Sequence, residues 1–368
     1  MTKNFRFVLL CVIVSLFIAC FNSYSSACTD FQIRTKDNTV IIGRSMEFAT
    51  EVISQIFVKS KREQQAGGAP GEKEGLTWTC KYGYIGINIF GLKDIVIDGM
   101  NEEGLSVEGL WLPETHYQNV SEEEANSAIN IGQLGSWILG NFKDTNEVKE
   151  AIKRVRVWGN MVKEIDMVPP IHFAVHDTEG RNIVIEYVDG ELKIYDNPIG
   201  VMTNAPTFDW HLSNLRNYVN LTRWNAEPLV IDGMTIKPTG QGSGLLGIPG
   251  DWTPPSRFIR TVALVHFADP AANAFEGVTL AEHILNTVDI PRGDIQNKEG
   301  ESFAEDYTQW VVIKDLTNRM LYIRDYDNLT LRTIDLKKLL RDSGAKMKSI
   351  PVDSDTYKMV DITDEFLL

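Results

Sequence analysis

The chain has 368 residues, 43% hydrophobic and 10% aromatic, with 36 Lys and Arg against 50 Asp and Glu for a formal charge of −14. That is the composition of a globular chain able to bury a substantial core, and it excludes wholesale disorder. The acidity, without clustered Lys and Arg, argues against a nucleic-acid partner, and beyond the N-terminal segment no apolar run is long enough to span a membrane.

Taken in order, the chain opens with Lys3 and Arg6, an apolar run from Phe7 to Phe21 broken only by Ser15, and small residues at Ser25 and Ala27. This is the pattern of a secretory signal peptide over residues 1–27, cut between Ala27 and Cys28, and it predicts an exported protein, periplasmic or secreted. Four cysteines occur, and only Cys28 and Cys80 outlast that cut. A single disulfide is formally open to them in an oxidising compartment, but a chain of this size does not need it, and two free thiols are expected. A competing pattern lies at Leu16-Phe17-Ile18-Ala19-Cys20, which resembles a lipoprotein processing box with Phe17 an awkward fit. Processing there would make the protein a non-catalytic envelope lipoprotein anchored at Cys20.

From Cys28 the pattern is β. Residues 29–34 alternate, Lys36-Asp37-Asn38 turns, and 39–46 run back, so a hairpin brings Arg44 to Glu47 close to Cys28. Residues 52–59 read as a third strand, 64–75 as a solvated loop, 82–90 and 94–98 as short strands, and 100–104 as a turn into the strand 105–111. Ser121 followed by three glutamates reads as a helix start, with a buried face through Ile129, Leu134, Trp137, Ile138 and Phe142. Asp144 to Glu147 opens a second helix. Residues 171–195 form a three-stranded meander, and 208–221, 257–267 and 280–288 read as helices. The stretches 309–313, 320–323 and 329–331 are again meander-like. Strands at both ends with helices between them predict an α+β chain, two antiparallel sheets packed face to face and covered by helices, as one domain over 28–368.

Four separated motifs carry a resemblance. They are Cys28-Thr-Asp-Phe leading to Gly43-Arg44-Ser45-Met46-Glu47, then Thr203-Asn204-Ala205-Pro206 through Trp210, then Asn214-Leu215-Arg216-Asn217-Tyr218, and finally Gly247-Ile248-Pro249-Gly250-Asp251 with Ser256-Arg257-Phe258. In this order and spacing they resemble the choloylglycine hydrolase family, which includes penicillin V acylases and bile salt hydrolases among the N-terminal nucleophile hydrolases. The resemblance covers essentially the whole chain after the leader and implies the four-layer αββα fold of those enzymes.

It also implies the chemistry. Cys28, made N-terminal, would carry thiol nucleophile and α-amine base on one residue and form an acyl-thioester with an amide substrate. No cofactor and no metal are called for. Arg44 would be a fixed cation beside the thiol. Glu47 stands where the family usually has Asp, a carboxylate that orients the α-amine, with a reach one methylene longer. Asn204 matches an oxyanion donor and Arg257 a second active-site arginine. Trp111 falls where relatives carry Asn or Tyr; its backbone N–H would be a second oxyanion donor and its ring an apolar wall. Met46, Phe48 and Trp210 are further candidates for the substrate pocket. The expected activity is an exported linear amide hydrolase of penicillin V acylase type, with N-acyl homoserine lactones or bile salt conjugates as alternative substrates. Family members commonly assemble as homotetramers, so a homotetramer is expected as well.

A papain-like arrangement finds no His in a supporting motif. His172 and His176 lie four apart on a predicted strand, too far from each other to hold one ion unaided, and no glycine-rich phosphate loop is present.

Overall fold

The structure is a computed structural model and describes residues 27–93, 95–299, 302–341, 348–354 and 360–366. The leader up to Ser26, with the Cys20 box, lies outside the described residues.

Two large antiparallel sheets dominate. In the first, the order is Val201–Met202, Thr29–Arg34, Val40–Phe48, Ser302–Asp315, Met320–Asp325 and Arg332–Asp335, with Ile295–Glu299 paired to the long strand Ser302–Asp315. In the second it is Glu191–Asp196, Asn182–Val188, Ile171–His176, Ser106–Trp111, Asp98–Asn101, Tyr84–Ile87, Gln55–Lys59 and Ile350–Pro351. Helices Pro254–Phe267 and Ala274–Leu285 pack on the first sheet, and helix Ile131–Asn141 packs on the second. The layers are therefore helix, sheet, sheet, helix, as the sequence led us to expect.

Strand Val40–Phe48 lies at the centre of this arrangement. All nine of its residues are buried, because one face meets the helix layer and the other meets the second sheet. Side chains alternate across a strand, so Ile41 lies under Gly277 of the outer helix, while Arg44, Met46 and Phe48 turn inward between the sheets. In the hairpin register Thr29 stands opposite Ser45 and Asp30 opposite Arg44. That pairing seats Cys28 beside the inward-facing end of the strand.

The helix expected from Ser121 starts ten residues later. Ser121 and Glu124 do bond, Ser121 N–H and Oγ donating to Glu124 Oε2 at 3.2 and 3.1 Å, but the turn they cap stops at a short 3-10 segment, Ala125–Ser127. Ala128–Asn130 then pairs in parallel with Arg156–Trp158, and the helix Ile131–Asn141 begins only after that pairing. Tertiary strand pairing overrides the local helix signal here. The second start holds: Asp144 caps Thr145–Ala151 by accepting from Glu147 N–H at 2.9 Å. The loop expected over 64–75 includes a short strand, Gln64–Ala66, paired to Thr77–Thr79.

Candidate active site

Cys28 is buried, 2% exposed, at the mouth of the strand Thr29–Arg34. Its Sγ lies 3.8 Å from Arg44 Nη2, 3.9 Å from Met46 Sδ and 3.8 Å from the carbonyl of Glu47. The Arg44 guanidinium is wholly buried and held on three sides. Nη2 donates to Gly109 O at 3.0 Å, Nε faces Asp98 Oδ2 at 3.8 Å, and the Trp310 ring lies 4.4 Å from its central carbon. A buried guanidinium keeps its charge, so the sulfur has a permanent cation beside it. Gly109 is packed tightly on its own side-chain face, where a Cβ would meet Ile97 Cδ1 at 2.5 Å and the Ile97 side chain would have to shift.

Arg257 sits in the first turn of Pro254–Phe267, where Pro254 and Pro255 set the helical start. Cation repulsion by the helix dipole disfavours this place, and four acceptors offset it. Nε donates to Trp252 O at 2.9 Å, Nη1 to Cys28 O at 2.5 Å and Thr29 Oγ1 at 2.7 Å, and Nη2 to Asn204 Oδ1 at 2.8 Å. Burial pushes the Arg257 guanidinium below its ordinary value, with Glu47 and Cys28 opposing that shift.

A guanidinium only donates, so the bond to Asn204 Oδ1 fixes which way the Asn204 amide faces. Its Nδ2 consequently donates toward the second sheet, to Trp111 O at 2.9 Å. The backbone of Asn204 is held in turn by His211 Nε2, 2.9 Å from Asn204 O. Burial pushes His211 down to about 4, so the ring is neutral, Nε2 donates, and the face stacks on Phe258 at 4.8 Å.

Glu47 faces the helix layer, on the opposite side of its strand from Arg44. Thr308 Oγ1 donates to its Oε1 at 2.6 Å and Ser45 Oγ to its Oε2 at 3.1 Å. Burial pushes the Glu47 carboxyl up to about 8, against the pull of Arg257. In the 368-residue chain Ala27 is joined to Cys28 and is itself buried, so the Cys28 nitrogen is a peptide amide.

Beside the sulfur lies a small apolar pocket of about 20 Å³, lined by Met46, Phe48, Val52, Ile89, Ile97 and Trp111 among others. Phe48 meets the Trp111 ring edge-on at 5.4 Å and Phe90 at 5.7 Å. Of the sequence candidates, Cys28, Arg44, Met46, Phe48 and Trp111 gather here, and Asn204, Arg257 and Glu47 adjoin through the contacts above. Trp210 does not join them. It is 43% exposed on helix Phe208–Leu215 and meets His211 edge-on at 5.6 Å, because the helix turns its Phe208 and His211 inward instead.

Sequence reasoning passed over Thr308, Asp98 and the apolar lining at Val52, Ile89, Ile97 and Ile171. It also passed over the buried charges Asp30, Glu108 and Lys314, and it weighed His176 only as a metal ligand. A charged residue inside an apolar strand, as in Val311-Val312-Ile313-Lys314, was the available signal. His172 and His176 share a strand but take separate partners, Glu186 Oε1 at 3.0 Å for His172 Nδ1, and Asp30 Oδ2 at 3.0 Å for His176 Nε2. Among the described residues, Cys28 and Cys80 are both buried and neither forms a disulfide.

A family model described as linear amide C-N hydrolases, choloylglycine hydrolase family, matches residues 28–347. The chain is 36% identical over 317 residues to a bile salt hydrolase/transferase of Clostridium perfringens, covering 84% of this chain and 93% of that one. It is 28% identical over 200 residues to a penicillin V acylase of Pectobacterium atrosepticum, covering 52% and 53%. Among solved structures, a mutant conjugated bile acid hydrolase from Clostridium perfringens superposes with a TM-score of 0.78 at 30% identity, covering 91% of this chain and all of that one. A penicillin V acylase from Agrobacterium tumefaciens shares the fold, with a TM-score of 0.71 at 22% identity over 88% of this chain and 90% of that one. The chain therefore belongs to the choloylglycine hydrolase family and is a linear amide C–N hydrolase.

Proposed function

We propose that this enzyme is exported, loses residues 1–27, and then hydrolyses the amide of an apolar acyl group through Cys28 as N-terminal nucleophile. The observation that carries this reading is the Cys28 sulfur, set between a buried guanidinium 3.8 Å away and an apolar pocket. The family match also starts at Cys28.

In this mechanism the freed α-amine takes the thiol proton, and the thiolate adds to the substrate carbonyl carbon. The oxygen that gains charge accepts from Asn204 Nδ2, already aimed by Arg257, and from the Trp111 backbone N–H. Collapse breaks the C–N bond, and the leaving amine takes the proton held by the Cys28 ammonium. Water then adds to the thioester with the same amine as base, which releases the carboxylic acid and restores the thiol. Arg257 acts by holding the Cys28 carbonyl and the Asn204 amide in place, and Glu47, fixed by Thr308 and Ser45, would orient the freed α-amine. Until residues 1–27 are removed this base does not exist.

The acyl group we favour is flat and aromatic, of the phenoxyacetyl type, because Phe48 and Trp111 wall the pocket edge-to-face, with Phe90 packed behind Phe48. A second reading, glycine- or taurine-conjugated bile acid, is favoured by the 36% identical relative. Assembly as a homo-oligomer is supported by the hairpin Leu229–Ile231 and Met234–Ile236, whose six residues are all exposed despite being largely apolar.

The test is mass spectrometry of active enzyme together with a substrate panel of penicillin V, a long-chain N-acyl homoserine lactone and a conjugated bile acid. A mature start at Cys28 and loss of turnover by more than about 100-fold in Cys28→Ser, with an unchanged circular dichroism spectrum, are expected. Activity in a chain with Ala27 still attached would defeat the reading. Faster turnover of the bile conjugate than of penicillin V would select the second acyl group.

A further inference from the structure

Six ionisable side chains, every one of them fully buried, meet between the two sheets directly behind Arg44. Asp30, Arg44 and Lys314 come from the first sheet, and Asp98, Glu108 and His176 from the second. The Lys314 ammonium lies 2.7 Å from Asp98 Oδ1 and 2.5 Å from Glu108 Oε1. His176 Nε2 lies 3.0 Å from Asp30 Oδ2 and 3.3 Å from Glu108 Oε2. Arg44 closes the chain at Asp98 and carries it to the sulfur of Cys28.

The protonation of His176 can be read from its neighbours. Gln32 Nε2 donates to Gly180 O at 2.9 Å, which fixes the Gln32 amide so that its Oε1 faces His176 Nδ1 at 3.3 Å. Nδ1 therefore carries a proton. Nε2 faces two carboxylates and carries one as well, so the ring is an imidazolium. Burial alone would push His176 down, but Asp30 and Glu108 together push it above its ordinary value, with Lys314 opposing them.

Burial pushes the Asp98 carboxyl up to about 6 and Glu108 up as well, while Lys314 opposes both shifts, joined by Arg44 at Asp98 and by His176 at Glu108; with all three carboxylates ionised the layer holds three negative and three positive charges, which is the condition for keeping so many ions away from water. A divalent cation among Asp30, Glu108 and His176, whose ligand atoms lie within 4.8 Å of one another, would instead leave excess positive charge against Lys314 and Arg44.

We propose that His176, Glu108 and Lys314 are positioning residues: as a charge-balanced layer between the sheets they hold Asp98, and through it Arg44, in place against the Cys28 sulfur. This rests on the reading of Cys28 as the nucleophile. Removing the His176 charge leaves the layer one negative charge in excess. Arg44 is then drawn toward Asp98 and Glu108 and away from the sulfur.

The experiment uses the processed enzyme and four readouts. His176→Gln is expected to lower kcat by about tenfold or more with KM within about twofold, and to slow iodoacetamide alkylation of Cys28 at pH 7 by a similar factor, followed by peptide mass spectrometry. The double variant His176→Gln with Glu108→Gln restores charge balance and is expected to recover most of both losses. A single variant that is folded and fully active, or a double variant no better than the single one, would overturn the proposal. If His176→Gln fails to fold, selective ¹⁵N-histidine NMR of the unaltered enzyme decides. Both His176 ring nitrogens protonated at pH 7 supports the layer, and a neutral ring overturns it. Stoichiometric metal bound to the purified enzyme would overturn it too. None of these spectra depends on turnover, so retained activity in Cys28→Ser would defeat the nucleophile reading alone.

Discussion

At the scale of single residues, what a side chain does here follows from which face of its strand it occupies. Arg44 and Glu47 are three apart, so the period of two puts Arg44 between the sheets and Glu47 against the helices. Glu47 is fully buried with a carboxyl pushed up to about 8, chiefly by burial. In the full-length chain it keeps a proton that the unfolded chain releases above its ordinary value of 4.5. The folded state then binds more protons than the unfolded state between those values, so stability falls as pH rises through that window. The slope approaches about 1.4 kcal/mol per pH unit at most. Urea unfolding of full-length chain from pH 4.5 to 8 will show this decline, and Glu47→Gln will flatten it. An equal decline in Glu47→Gln would assign it to other groups. Cys80 offers a contrast between two thiols. It is buried, its thiol is pushed up to about 11 by burial and then by Glu63, and its Sγ faces Gly140. Cys80→Ala is expected to cost about 1 kcal/mol of stability, with kcat unchanged, and Cys80 is expected to resist alkylation in the native enzyme. Loss of folding on that substitution would contradict a merely packed thiol.

Among the elements, helix Pro254–Phe267 does most to assemble the site. Its proline start and its Thr253 N-cap place Arg257 in the first turn, where one rigid fork ties Trp252, Cys28, Thr29 and Asn204 together. A lysine would keep the charge but present a single ammonium on a flexible stem. Arg257→Lys is therefore expected to lower kcat by about 10- to 100-fold with a Tm within a few degrees of the parent. Wild-type kcat in that variant would show that charge alone suffices and that the fork is dispensable. The element beginning at Ser121 teaches the opposite lesson. Its local signal, a hydroxyl followed by acids, is real, and the bonds from Ser121 to Glu124 form. They close one turn, and the parallel pairing of Ala128–Asn130 with Arg156–Trp158 takes the next residues. A cap that can be read in the sequence predicts a turn; whether a helix follows depends on a strand partner 28 residues further on.

For the molecule as a whole, the two sheets supply the apolar pocket beside Cys28 and the layer of buried charge behind Arg44, and a hairpin lies outside both. Leu229, Val230, Ile231, Met234 and Ile236 remain exposed on that hairpin, which is where we propose that copies of the chain meet. If copies assemble through this hairpin as proposed, Val230→Glu with Met234→Glu yields monomers in analytical ultracentrifugation where the parent sediments as an oligomer, with Tm changed by only a few degrees. An unchanged sedimentation coefficient would free the hairpin of that role. The sequence by itself determined the layered sheet architecture and the family, because strand periodicity, the hairpin turn at Lys36-Asp37-Asn38 and the motif spacing are all local properties of the chain. It also put Cys28 and Arg44 side by side, since a hairpin needs only neighbouring residues. Only the tertiary structure decided that Arg257 turns the Asn204 amide, that Trp210 stays outside the pocket, and that six buried charges from separate strands balance one another behind Arg44. Each of these depends on which strand or helix lies across from which at long range, and a one-dimensional pattern of apolar and polar residues does not encode that pairing.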